Sequence, residues 1–194
     1  MMKILKTFFA LIGVLVVAGM LLIGVKYKNT LKDFDPEAIR AFSNMAVLVL
    51  ETGDPAKGMI LKKKMVIPEG MTKEEAIENA IDVMDEVAST HGLAMVDYKV
   101  MPRKDGRYTQ IRSYCSPTIA DVFLNYSREF IGFMPCRIGI IEEPNGDIYL
   151  YTMNLDLMIH GGKILPAKLL ELAMEVNAGM MGMFEQGAAG EESD

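Results

Sequence analysis

Nineteen consecutive residues, Thr7 to Val25, carry no charge, and lysines bracket them at Lys3, Lys6, Lys26 and Lys28. A helix of that length spans about 29 Å at ~1.5 Å per residue, close to the apolar thickness of a bilayer. The run is longer than a secretory h-region, and its small pair Ala18-Gly19 lies inside it rather than after it. An uncleaved single-pass anchor over residues 1–28 is the expectation. Lysines flank both ends, so positive charge does not fix the orientation. The very short N-terminal arm favours an exported domain.

The first 28 residues hold four of the 20 basic residues and none of the 26 acidic ones. Residues 29–194 therefore carry sixteen basic and twenty-six acidic residues, a formal charge of −10. Such a balance argues against nucleic acid, which needs a basic face. It also argues against anionic lipid beyond the flanking lysines. About 165 residues suffice for one domain with a real core. The two cysteines, Cys115 and Cys136, are too few for a disulfide scaffold. No CxxC, HExxH, GxGxxG, GxxxxGK[ST] or GxSxG pattern occurs, so neither a zinc site, a nucleotide site nor a nucleophile elbow has local support.

Residues 29–57 read as a juxtamembrane helix and linker. Asp35-Pro36 opens a helix to about Leu50 with Ile39, Phe42, Ala46 and Val49 on its packing face, the stretch Met45 to Leu50 being alternatively readable as a buried strand, and Glu51 to Gly58 is a loop. Residues 58–188 form the domain. Its expected elements are a strand at 59–67, a helix at 73–90 opened by the capping box Thr72/Glu75, and strands at 93–101 and 109–114. A helix starts next at Ser116-Pro117. Asn145-Gly146 then joins the strands 136–142 and 148–153 as a hairpin. A loop through His160-Gly161-Gly162 leads to a methionine-rich helix from Pro166 to about Gln186, and 189–194 is an acidic tail expected to be disordered. The resulting fold class is α+β, a two-layer domain with an antiparallel-type sheet and helices on one side.

The stretches SYCSPTIADVFLNY and MPCRIGIIEEPNGDIYLYTMNLDLMIHGGKILP, with the methionine-rich helix closing in GAAGEE, resemble the domain-of-unknown-function family DUF302 over residues 58–192. The resemblance implies a compact α+β domain that tends to dimerise. It also implies membrane-anchored relatives in sulfur-oxidising bacteria, a hint toward redox or sulfur metabolism. It carries no catalytic residues to this chain.

Four residues invite chemistry. Cys115 sits before a helix N-terminus, where a thiolate would be stabilised and its pKa lowered, although a small buried hydrophobe is the commoner role. Cys136 starts a strand on the face of Ile138 and Ile140 and could resolve or bridge Cys115 if their Cα atoms lie within about 7 Å. Arg137 points the other way and could grip an anion, against the simpler possibility of an ion pair with Glu142 or Glu143. His160, in its glycine-rich turn beside Lys163, could bind a metal or ligand. Met174, Met180, Met181 and Met183 suit a core and a dimer interface better than a Cu(I) or haem site. No cofactor is named by these residues. The sequence reads as a membrane-tethered, homodimeric binding or accessory module with an unidentified small-molecule or protein partner, rather than an enzyme. The alternatives are a thiol-based redox or sulfur-handling protein through Cys115 and Cys136, and a metal or haem binder through His160 and methionines.

Overall fold

The computed structural model describes residues 2–190. Helix α1 (Met2–Lys26) is the long apolar helix, with no part of its apolar window buried against the rest of the chain. A short turn of helix, α2 (Lys28–Leu31), continues it. Helix α3 (Ala38–Thr52) ends at Gly53, whose φ of +67° closes it in the left-handed region that glycine adopts without cost.

Its packing face differs from the expected one. Ala38 and Ala41 are buried and Met45 is half-buried, whereas Ile39 and Phe42 are exposed. Small side chains win the inner face because α3 lies close against two short helices, in stretches where local composition points to loops. These are α4 (Pro55–Met59) and α7 (Asp156–His160). Asp54 starts α4 by accepting a hydrogen bond from the Ala56 N–H at 2.9 Å, with Pro55 in the first turn. Gly58 is what lets α3 and α4 meet, since a Cβ there would come within 2.7 Å of Val49 Cγ2.

Five strands form one antiparallel sheet in the order β1-β5-β4-β3-β2: β1 (Ile60–Lys64), β2 (Ala94–Val100), β3 (Thr109–Cys115), β4 (Cys136–Glu142) and β5 (Ile148–Met153). The hairpin is β4–β5, and Gly146 at φ +83° supplies the turn. Helix α5 (Lys73–Thr90) starts in the expected capping box: Glu75 N–H donates to the Thr72 hydroxyl at 3.2 Å, and the Thr72 N–H donates to the Glu75 carboxylate at 2.8 Å. Helix α6 (Pro117–Tyr126) runs into a 3-10 segment, Arg128–Phe133, that periodicity did not reveal. Helix α8 (Ala167–Ala189) extends three residues past the expected Gln186. The acidic tail beyond Gly190 lies outside the described residues.

Helices α5 and α8 cover one face of the sheet, and the core is the layer between them. Ile138, Ile140, Ile148 and Leu150 come from the sheet, and Met84, Met180, Met183 and Phe184 from the helices. Most methionines of α8 thus fill the core, and Met174 is the one left clearly exposed. The α+β two-layer architecture with helices on one side is as the patterning indicated. Among the described residues the opposite face of the sheet carries no helix layer, and every residue of the edge strand β2 is exposed.

Candidate functional site

Period-two alternation along β4 sends Cys136, Ile138 and Ile140 into the helix layer and Arg137, Gly139 and Ile141 onto the uncovered face. The two faces carry two different concavities.

On the helix side, a small cavity of about 50 Å³ lies where β3 and β4 meet α6, the 3-10 segment and α8. Both cysteines line it, together with Phe123, Phe130, Met134 and Met158. The β3–β4 register sets Tyr114 opposite Cys136, so Cys115 is one residue beyond direct alignment. Both are free thiols. The expected lowering of the Cys115 pKa is not what the surroundings produce. Burial pushes its thiol up, and the opposing hydrogen bond from the Ser116 backbone is the smaller effect. Cys136 is pushed up to about 11, chiefly by burial and secondarily by Cys115. Desolvation of an apolar pocket outweighs a helix N-terminus here. At neutral pH both sulfurs are protonated.

On the uncovered face, β3, β4 and β5 floor a groove of about 350 Å³ walled by Gly132, Phe133 and Pro135 at one side and Ile60 and Met101 beyond. That volume falls in the range of small-molecule sites, roughly 300–1,000 Å³, whereas the thiol cavity is well below it. Arg137 is the one charged residue lining the groove, beside Ile111, Ile141, Tyr151 and Met153. The ion pair with Glu142 or Glu143 does not form. Glu142 is held by Lys73 Nζ at 2.7 Å, and Glu143 by Lys62 Nζ at 2.9 Å and the Tyr151 hydroxyl. Among the described residues Arg137 has no ion-pair partner. Gly139, opposite Tyr151, deepens the floor, and a Cβ there would make only an ordinary contact, 3.8 Å from Tyr151 Cβ.

His160 is drawn to neither concavity. Its Nδ1 donates to Asp35 Oδ2 at 2.9 Å, since a carboxylate can only accept. Around this pair the segment 33–35 is strapped to 162–164. Phe34 and Lys163 form a β-bridge, the Asp35 N–H donates to the Gly162 carbonyl at 2.8 Å, and the Ile164 N–H donates to the Asp33 carbonyl at 3.0 Å. Asp35 is buried, and the His160 hydrogen bond, aided by the Glu37 N–H, holds its carboxyl below the ordinary value near 3.8.

A depressed carboxylate contributes stability that is complete above the unfolded value and is lost as pH falls through the folded one. The strap should therefore keep its strength from neutral pH down to about pH 4 and loosen below it. Hydrogen exchange of the Asp35 and Ile164 amides, corrected for intrinsic rate, should show this loss in the natural chain. In Asp35→Asn protection should be lower and independent of that titration. A variant with the same acid-dependent loss would refute the assignment.

Sequence reasoning missed a polar cluster at the edge of the core. Arg112 Nη2 donates to Asp85 Oδ2 at 2.5 Å, Arg112 Nε donates to the Tyr114 hydroxyl at 3.0 Å, and that hydroxyl donates to Asp85 Oδ1 at 2.8 Å. The available signal was period two: Gln110, Arg112 and Tyr114 share one face of a buried strand. Among the described residues no group of three or more His, Cys, Asp or Glu side chains could hold a metal ion.

Among curated proteins nothing matches this chain. A crystal structure of an uncharacterized conserved DUF302 protein from Bacillus stearothermophilus is similar with a TM-score of 0.48 and 16% identity, covering 66% of this chain and 96% of that one. The family model described as domain of unknown function DUF302 matches residues 69–187, which takes in α5, most of the lining of both concavities and nearly all of α8, and the chain therefore belongs to the DUF302 family.

Proposed function

We propose that this protein is a membrane-tethered binding module that seats a small ligand with an apolar body and an anionic head in the groove on the uncovered sheet face. One observation carries the reading: a groove of ligand size, otherwise uncharged, holds a guanidinium with no carboxylate partner among the described residues. Arginine's planar fork of donors suits a carboxylate, sulfonate or phosphate, and the surrounding Ile111, Ile141, Met153 and Phe133 suit an apolar body. The apolar helix α1 supports the tether as a candidate span. The exported side and a homodimer are part of the same proposal. The exposed β2 edge, with Val96, Tyr98 and Val100, supports the dimer as a surface where a second copy could pair.

A second reading, thiol-based redox or sulfur handling, is favoured by the convergence of Cys115 and Cys136 on one cavity. Burial of both thiols weighs against it.

Native mass spectrometry of the full chain released from detergent micelles tests the groove, the dimer and the thiol reading together. The expected result is a dimer with an added mass that is absent from Arg137→Gln and from Gly139→Leu, whose side chain would occupy the groove floor. A bare protein, or an adduct retained by both variants, would overturn the groove reading. An adduct lost only from Cys115→Ser would transfer the weight to the thiols.

A further inference from the structure

Helix α3 has two apolar faces, and only one of them is used. Ala38, Ala41, Met45 and Val49 turn toward α4 and α7. Ile39, Phe42, Ala46 and Leu50 recur at intervals of three, four and four residues along a neighbouring stripe about 100° further round the helix, which is the spacing of one helix face. Ile39 is 78% exposed and Leu50 84%, values that leave nearly the whole side chains in solvent. Arg40, Asn44 and Glu51 lie together on the arc away from both stripes.

The position of this face in the chain says what covers it. Only the six residues 27–32 separate α1 from the strap that binds the chain to the domain. Those residues are not an extended tether. The Tyr27 N–H still bonds the Ile23 carbonyl, and turn hydrogen bonds continue through Lys32, Asp33 and Phe34. At about 1.5–2 Å per residue they rise at most ~9–12 Å, so the strap begins close above a headgroup layer that is itself roughly 5–8 Å deep. Lys26, Lys28 and Lys32 lie along that rise, where lysines sit at a membrane surface.

We propose that α3 lies in the plane of the bilayer surface, with Ile39, Phe42, Ala46 and Leu50 seated at the boundary between headgroups and acyl chains. The partner is the lipid surface itself, and α3 is a second point of membrane contact that fixes how the domain is oriented above it. The inference rests on the reading of α1 as a membrane anchor. An amphipathic helix of this kind buries its apolar face about 5–10 Å into the interface.

The chain contains no tryptophan, so single tryptophans report position without background. Full-length Phe9→Trp, Phe42→Trp, Leu50→Trp and Tyr98→Trp are each reconstituted into phosphatidylcholine–phosphatidylglycerol vesicles, with and without bromine near the headgroup end of the acyl chains. Phe9→Trp reports α1, Tyr98→Trp reports the exposed β2 strand, and the remaining two report α3 independently. Bromination should quench Phe42→Trp and Leu50→Trp by about half, as expected for interfacial depth, and leave Tyr98→Trp unchanged. Quenching of Phe9→Trp with neither α3 tryptophan quenched would overturn this inference and leave the anchor standing. If Phe9→Trp is unquenched, the anchor reading fails and takes this inference with it. Blue-shifted but unquenched emission from both α3 tryptophans would assign the face to a protein or a second copy, which also overturns it.

Discussion

Asp85→Ala is expected to destabilise the domain by about 2–4 kcal/mol, a large loss for one substitution. The reason is what it leaves behind. Arg112 is 5% exposed, and Asp85 is its carboxylate partner as well as the acceptor for the Tyr114 hydroxyl. Removing one member of a buried pair costs about 3–5 kcal/mol because the other charge stays unpaired. The Asp85 side chain is 40% exposed, so some water reaches the guanidinium and the lower part of that scale applies. The paired substitution Asp85→Ala with Arg112→Met should recover more than half of the loss, since it removes the stranded charge and retains most of the volume. Urea unfolding of the full chain in detergent would measure both. A midpoint for Asp85→Ala within error of the natural chain would mean that the guanidinium finds another acceptor.

The second large effect is expected at Gly179, where the usual rule for glycine in a helix reverses. Alanine in place of a mid-helix glycine ordinarily stabilises by about 0.5–1 kcal/mol. A Cβ at Gly179 would come within 2.9 Å of both His91 Cβ and Leu93 Cδ1, closer than such atoms can pack. Gly182 and Gly187 make similar approaches to Val87 and Met84, so α5 and α8 meet along a seam of backbone and small side chains. His91 Cβ is tied directly to the chain and cannot swing aside. Overpacking costs typically 1–3 kcal/mol, which exceeds the helix-propensity gain, and valine should cost more than alanine. Thermal melts of Gly179→Ala and Gly179→Val should fall in that order. A rise in Tm for the alanine variant would show that the seam opens freely.

What the sequence disclosed and what it concealed divide by the range of the cause. Helix α5 was legible to both ends because its stop and start are local: the Thr72/Glu75 box and Gly92 at φ +63°. The β4–β5 hairpin was legible because Asn145-Gly146 dictates its turn and alternation its faces, and the outward aim of Arg137 came from the same period. The orientation of α3 was hidden. Two adjacent stripes of it are apolar, and the choice between them depends on α7, more than a hundred residues away. The role of His160 was hidden for the same reason, since Asp35 gives no local sign of where it will bond. The thiol environment needed a magnitude rather than a pattern. A helix start beside Cys115 was visible, but the apolar enclosure that outweighs it is assembled from β3, β4, α6 and α8.

The strap between 33–35 and 162–164 has a consequence for the order of events during synthesis. Asp35 and His160 are 125 residues apart in the chain. Polypeptides emerge N-terminus first at about 5–20 residues per second, so the first half of the strap waits on the order of 6–25 s for the second. No shorter nascent chain can close it. Closure of a loop that long is also among the costlier entropic steps in the fold. The contact therefore forms only in a chain elongated through α7, and a truncated or stalled product keeps Asp35 unpaired. Closure of the strap marks a chain elongated past His160.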